Sequence, residues 1–453
     1  MRKNTLARLL ALLMAFGLVA AACGSDDDSA EEGTEAGDET TETTEAAGDD
    51  DESTTTEAME DEEADAPAGG GADGTLTFGG ILPETGNLAF LGPPEFAAVE
   101  LAVNDINEAG GVLGGDVVWL AGDSGDNGDV ANATVDRLLA ENVDAFIGAA
   151  SSGVSLTVID KITQAGVIQF SPANTSPAFT DYDDGGLYFR TAPSDVIQGA
   201  ALADIMLGDG AETAAFLVLN DSYGTGLLEF SKGPYEAGGG TVVLEQIYDP
   251  KADNFDAEIS AVVEADADAI VVIGFDESAQ IISGLIEQGQ GPGDKLVYGT
   301  DGNMGNALAE AFDDPSVLAG MRGTLPGVDV QGTQEEFRDA LLAVDGELID
   351  FSYAAESYDA VVLVALGAIA AGSDDPTAIA AEINGLTQDG EQCDNFADCA
   401  KLLEEGADID YEGRSGPLSF IDAGEPSEAS VLTLQFNEAG ELEVVGSVFG
   451  TLS

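Results

Sequence analysis

Leu76-Thr77-Phe78-Gly79-Gly80-Ile81-Leu82 is a short β-rich run, and Phe96, Val99, Val103 and Ile106 follow it at spacings of three, four and three. A strand followed by one apolar helix face is a β-α unit. The same alternation continues along the chain. Further candidate strands are Val117–Ala121, Ala145–Ile147, Val167–Phe170, Ala214–Leu219, Thr241–Tyr248, Ala269–Ile273 and Leu296–Tyr298. Several are apolar without alternation, as in strands covered on both faces. Candidate helices are 131–141, 155–164, 197–207, 257–264 and 279–288. Repeated β-α units predict parallel sheets with helices on both sides. The pattern occurs twice, with Thr191-Ala192-Pro193-Ser194-Asp195 as a crossing between the two runs. The stretch from Glu335 to Leu386 is helix-rich, with too few strands for a third sheet, and is expected to pack on the first unit. The predicted fold is therefore α/β, with two doubly wound parallel-sheet lobes, a hinge and an interlobe cleft. The expected division is 74–192 with 326–428 for the first lobe and 193–325 with 429–453 for the second.

Two segments precede this body. Arg2, Lys3 and Arg8 lead into an uncharged run, Leu9 to Ala22, which ends Ala20-Ala21-Ala22-Cys23. The run is short for a bilayer span, which takes ~20 apolar residues, and reads as an export signal. The small residues before Cys23 resemble the bacterial lipobox, although Ala20 stands where a large aliphatic is usual. The resemblance implies cleavage and acylation at Cys23 and an extracytoplasmic protein held to a membrane by lipid. The alternative is an ordinary cleaved signal with a chance cysteine. Residues 24–73 hold 21 acidic and no basic residues, too little apolar surface to offset ordering. Their like charges predict an extended, disordered leash.

The body carries 66 acidic and 10 basic residues, which excludes a phosphate-binding, nucleic-acid role. The charge is read as an acidic, hydrated surface suited to saline surroundings. There is no His, so Ser–His–Asp and Cys–His chemistries are excluded. Cys393 and Cys399, with five residues between them, make a local disulfide the default in an exported chain. Two thiols alone do not fill a zinc tetrahedron. Neither metal nor cofactor is implied. Gly224-Thr225-Gly226 near Lys232 lacks the spacing of a phosphate loop.

Phe78-Gly79-Gly80-Ile81-Leu82-Pro83-Glu84-Thr85-Gly86 resembles the opening of type I periplasmic binding proteins of the leucine/isoleucine/valine kind. So do the run Ala102 to Gly114, the Tyr223-Gly224-Thr225-Gly226 turn and the closing Tyr411 to Phe420. The resemblance covers most of 74–450. It implies a lipoprotein that captures an amino acid or related solute and delivers it to ABC permease subunits, as a monomer and without catalysis. Residues matching Ser152, Ala173 and Thr175 hold the ligand's α-carboxylate and ammonium in that family. Asp301 matches an acid placed against the ammonium. Tyr223 and Phe275 match aromatics closing from the second lobe.

Physical reading of the same residues agrees in kind. Gly148 to Ser152 and Ser171 to Thr175 follow neighbouring strands and offer hydroxyls, carbonyls and helix-start amides, at the edge where open sheets bind ligands. The competing view makes Ser152 a helix cap and 171–175 a turn. Asp301 follows a strand in Tyr298-Gly299-Thr300-Asp301-Gly302; it is otherwise a structural turn Asp. Tyr223 is otherwise a half-exposed turn residue. Two departures reshape the side-chain end of the pocket. Gly274-Phe275-Asp276 stands for an aromatic pair, and Leu91 replaces an aromatic. Asp276 favours a cationic ligand group if it faces the cleft and says nothing if it faces solvent. The functional expectation is import of a branched-chain or other small apolar amino acid. A sensory subunit for an amide, urea or related solute is the rival, and a paired-carboxylate hydrolase lacks any motif.

Overall fold

The computed structural model describes residues 72–452. The leader with Cys23 and all but the last two residues of the acidic leash lie outside the described residues.

The first sheet is built from β1 (Thr77–Ile81), α1 (Gly92–Glu108), β2 (Val118–Leu120), α2 (Gly128–Leu139), β3 (Ala145–Gly148), α3 (Ser152–Gln164), β4 (Ile168–Ser171) and β5 (Tyr188–Arg190). Its order is β2-β1-β3-β4-β5, and every pairing is parallel. Side chains along these strands alternate between two cores, as a period of two demands. Phe78, Ala145 and Ile147 pack towards α1, whereas Ile81 and Phe146 meet Val135 of α2 and Val158 of α3.

The second sheet takes up α4 (Asp195–Gly208), β6 (Thr213–Leu219), α5 (Ser222–Ala237), β7 (Thr241–Tyr248), α6 (Asp256–Ala265), β8 (Ala269–Ile273), α7 (Ser278–Glu287), β9 (Leu296–Gly299), α8 (Asn306–Glu310) and β10 (Arg322–Pro326). The chain then runs through α9 (Val330–Thr333), α10 (Glu335–Val344), α11 (Ala354–Ala371), α12 (Pro376–Ile383), β11 (Glu391–Cys393), α13 (Phe396–Glu404) and β12 (Ile409–Tyr411). Here α10, α11 and α13 pack on α1. The end of the described chain rejoins the second sheet as a hairpin, β13 (Glu428–Phe436) and β14 (Leu442–Thr451), giving the order β14-β13-β10-β9-β8-β6-β7. The hairpin departs from the all-parallel expectation, because β13 runs antiparallel to β10. All five residues of β8 are buried, the mark of a strand covered on both faces.

Helix α11 is buried at every residue from Ala354 to Ala368. Its apolar surface runs all round, as expected of a helix enclosed by protein. Asp359 on it accepts hydrogen bonds from Tyr411 Oη at 2.7 Å and from the Arg414 and Ser415 amides at 2.9 and 2.7 Å. That carboxylate fixes the run Tyr411–Ser415 against the helix.

Cys393 and Cys399 form a disulfide across the start of α13. Closing so short a loop is worth roughly 2 kcal/mol in the unfolded state. Replacing both cysteines by Ser is expected to lower the unfolding free energy by about that amount in urea titrations. An unchanged midpoint would show that the link carries no stability.

Candidate functional site

The loops after β3 and β4 are stitched into one rigid edge. Ser171 Oγ donates to the Ala149 carbonyl at 2.7 Å and accepts the Asn174 amide at 2.9 Å. Asn174 Nδ2 donates to the Ala149 and Ala150 carbonyls. From below, Arg190, buried and ion-paired with Glu425, donates to the carbonyls of Asn174 and Ser176. Ser151 caps α3 by accepting the Val154 amide, so Ser152 is the first helical residue rather than the cap, three residues earlier than the sequence places it. A helix's first amides have no partner within it. The Ser152 hydroxyl accepts the Ser176 amide at 3.3 Å. The Thr175 hydroxyl is buried and without a partner.

The opposing edge belongs to the second sheet. Asp221 caps α5 by accepting the Gly224 amide at 2.8 Å. Tyr223 therefore lies in the first turn of a helix, not in a free turn, and only 3% of it is exposed. Its hydroxyl donates to Asp301 Oδ1 at 2.7 Å. Having spent its proton there, it accepts from Thr300 Oγ1 at 2.7 Å. Its ring stacks on Phe275 at 5.6 Å between centroids. Asp301 also accepts Gln198 Nε2 at 2.7 Å and Tyr353 Oη at 2.8 Å. Burial pushes the Asp301 carboxyl up, and these three donors pull it back towards the ionised form.

Ser152, Ala173, Thr175, Tyr223, Phe275 and Asp301 are each at most 6% exposed. Ala150 and Ala173 of the first edge, with Leu91 just ahead of α1, share one apolar cluster with Tyr223 and Phe275 of the second edge. The two edges touch directly. Ser176 Oγ donates to the Ser222 carbonyl at 2.9 Å, and the Asp276 amide to the Asn87 carbonyl at 3.2 Å. A larger open groove of about 740 Å³ beside Phe312, Arg338 and Leu348 contains none of the six.

Three neighbours escaped the sequence reading: Asp195, Gln198 and Tyr353. Asp195 opens α4 directly after the crossing, is fully buried, and neither carboxylate oxygen has a hydrogen-bond partner. Its amide donates to the Thr175 carbonyl at 2.7 Å, placing it beside the first edge. Burial, then the charge of Asp301, holds its carboxyl well above the usual range. Gln198 lies one turn further along the same face, and its Oε1 is also unpartnered. Where the edges meet, acceptors are in excess: Asp301, Asp195 and the Gln198 carbonyl oxygen. This suits a group that donates several hydrogen bonds and carries positive charge.

The periplasmic binding protein family matches residues 75–399. The chain is a type I periplasmic binding protein. Among relatives of this binding protein is a chemotactic signal transduction substrate-binding protein, BasB, of Halobacterium salinarum, 28% identical over 81% of this chain and 88% of that one. Another is a Leu/Ile/Val-binding protein homolog of Brucella abortus, 27% identical over 69% of this chain and 83% of that one. The same fold occurs in the branched-chain amino acid transporter substrate-binding protein LivJ of Streptococcus pneumoniae, solved with isoleucine. That structure has a TM-score of 0.68 at 23% identity, covering 83% of this chain and 99% of that one. The family is one of extracytoplasmic solute-binding proteins.

Proposed function

We propose that this binding protein is an extracytoplasmic lipoprotein, anchored through Cys23, that captures an α-amino acid between its lobes and delivers it to ABC permease subunits. It acts as a monomer and without catalysis. The reference class is a branched-chain or other small apolar amino acid. The jaws are residues 74–192 with 326–428 and residues 193–325 with 429–453. Ser152, Ala173 and Thr175 hold the head group on the first jaw, and Tyr223, Phe275 and Asp301 close on it from the second. The observation that carries this reading is the buried Asp301 carboxylate, held by three donors on an edge that touches the first one through Ser176 and Ser222. Ligand capture then shifts the population to the closed form through contacts that exist only when both jaws engage. Calorimetric titration with the standard amino acids tests the proposal; heat from none of them would reject the amino-acid assignment.

The similarity to BasB favours a second reading, in which the same jaws report a solute to a signalling partner. Co-purification with permease subunits from membranes supports import, and recovery with a transducer instead supports sensing.

A further inference from the structure

We infer that the side-chain end of the cleft is built for an amino acid whose side chain ends in a cation, with Asp276 as the residue that selects it. The inference rests on the amino-acid reading above and narrows its substrate class. A cavity of about 350 Å³ lies beside Phe275, walled also by Phe90, Ala279 and Leu308. Phe275 joins it to the head-group residues, because that ring lines the cavity and also stacks on Tyr223, whose hydroxyl binds Asp301. Asn303, two residues beyond Asp301, lines the cavity as well. The cavity thus lies on the far side of the Phe275 ring from Tyr223, and its apolar walls suit a methylene stem.

The charged residues lining the cavity are Asp276 and Glu310, both acidic, with no Lys or Arg among them. The Asp276 carboxylate makes no hydrogen bond to the protein among the described residues. Its amide is tied across the jaws to Asn87, which fixes the backbone at this position. Burial, then Glu277, pushes the Asp276 carboxyl up to about 6, which leaves it largely ionised at pH 7. An apolar cavity with an unpaired carboxylate at its rim leaves a leucine side chain nothing to neutralise. A lysine, ornithine or arginine side chain supplies the missing charge at the right end. Asp276 is solvent-exposed, and screening holds the gain to at most about fivefold.

The test is calorimetric titration of the full chain with lysine and with norleucine, which share a stem and differ in the terminal ammonium. Lysine is expected to bind up to about fivefold tighter than norleucine, and Asp276→Asn is expected to bring that ratio to about one. Binding of leucine or norleucine with equal or weaker binding of lysine overturns this inference and leaves the amino-acid reading standing. Binding of none of the three, nor of arginine, overturns both. A lysine preference that survives Asp276→Asn assigns it to the overall acidic field and removes Asp276 from the role.

Discussion

Asp301→Asn is expected to weaken amino-acid binding by roughly 10- to 150-fold at pH 7, the cost of losing one charged hydrogen bond. The substitution keeps the size of the side chain and an oxygen for Gln198 and Tyr223, so the pocket retains its shape. What disappears is the negative charge opposite the ligand ammonium. The neighbouring acid sharpens the test. Asp195 and Asp301 are both buried and repel each other, so the pair does not ionise twice at neutral pH without cost. Asp301 has three donors that favour its ionised form; Asp195 has at most the nearby Thr175 hydroxyl, which does not reach hydrogen-bond geometry. The proton therefore resides on Asp195, and Asp195→Asn, which resembles the protonated acid, should cost much less than Asp301→Asn. Titration of both variants with the same ligand checks the order. A Kd for Asp301→Asn within twofold of the parent would remove Asp301 from the head-group site, and a reversed order would move the charge to Asp195.

The order of β-α units was legible because buried strands have to be apolar and helix faces have to repeat. The ranges expected for β7 and β8 coincide with those observed, and those for β1 to β4 lie within one residue of the observed bounds at each end. Other elements left little trace. Strand β14 exposes Val444, Val445, Val448 and Phe449, so no one-sided pattern marks it. Helix α5 contains Gly224, Gly226, Gly233 and Pro234, all poor helix formers. Its Asp221 cap and its packing on α4 override that composition. The site was legible only in part, for a related reason. Ser152, Thr175 and Asp301 follow strands and could be placed from strand ends. Asp195 sits in a stretch whose evident role is to cross between lobes, and Tyr353 reaches Asp301 from a separate part of the chain, 52 residues away. Its backbone at φ 60° carries it into the cleft just ahead of α11, and such a conformation has no sequence signature in a tyrosine.

Glu356→Gln is expected to stabilise the fold at neutral pH and to flatten its pH dependence. Glu95 in the first turn of α1 and Glu356 in the first turn of α11 are 0% and 3% exposed, and neither Glu95 oxygen has a hydrogen-bond partner. Burial, then Glu356, holds the Glu95 carboxyl well above its ordinary range. Burial, with a further push from Asp359, raises Glu356 to about 8. The usual surface carboxylate is lowered on folding, and here the sign is reversed. At pH 7 the folded chain keeps a proton on Glu356 that the unfolded chain has released, so folding takes up protons and stability falls as pH rises. For Glu356 the loss begins near the unfolded value of about 4.3 and is complete above about pH 8, amounting to roughly 3–4 kcal/mol by pH 7. Glutamine removes the ionisation but still needs partners for its amide, which offsets about 1–3 kcal/mol. The variant should therefore gain roughly 1–2 kcal/mol at pH 7 and more at pH 8, with no gain at pH 4. Urea unfolding across pH 4–9 at fixed salt separates this from a packing effect, since packing shifts the curve without changing its slope. Parallel curves for parent and variant would mean that Glu356 is ionised in the folded protein and finds its counter-charge there.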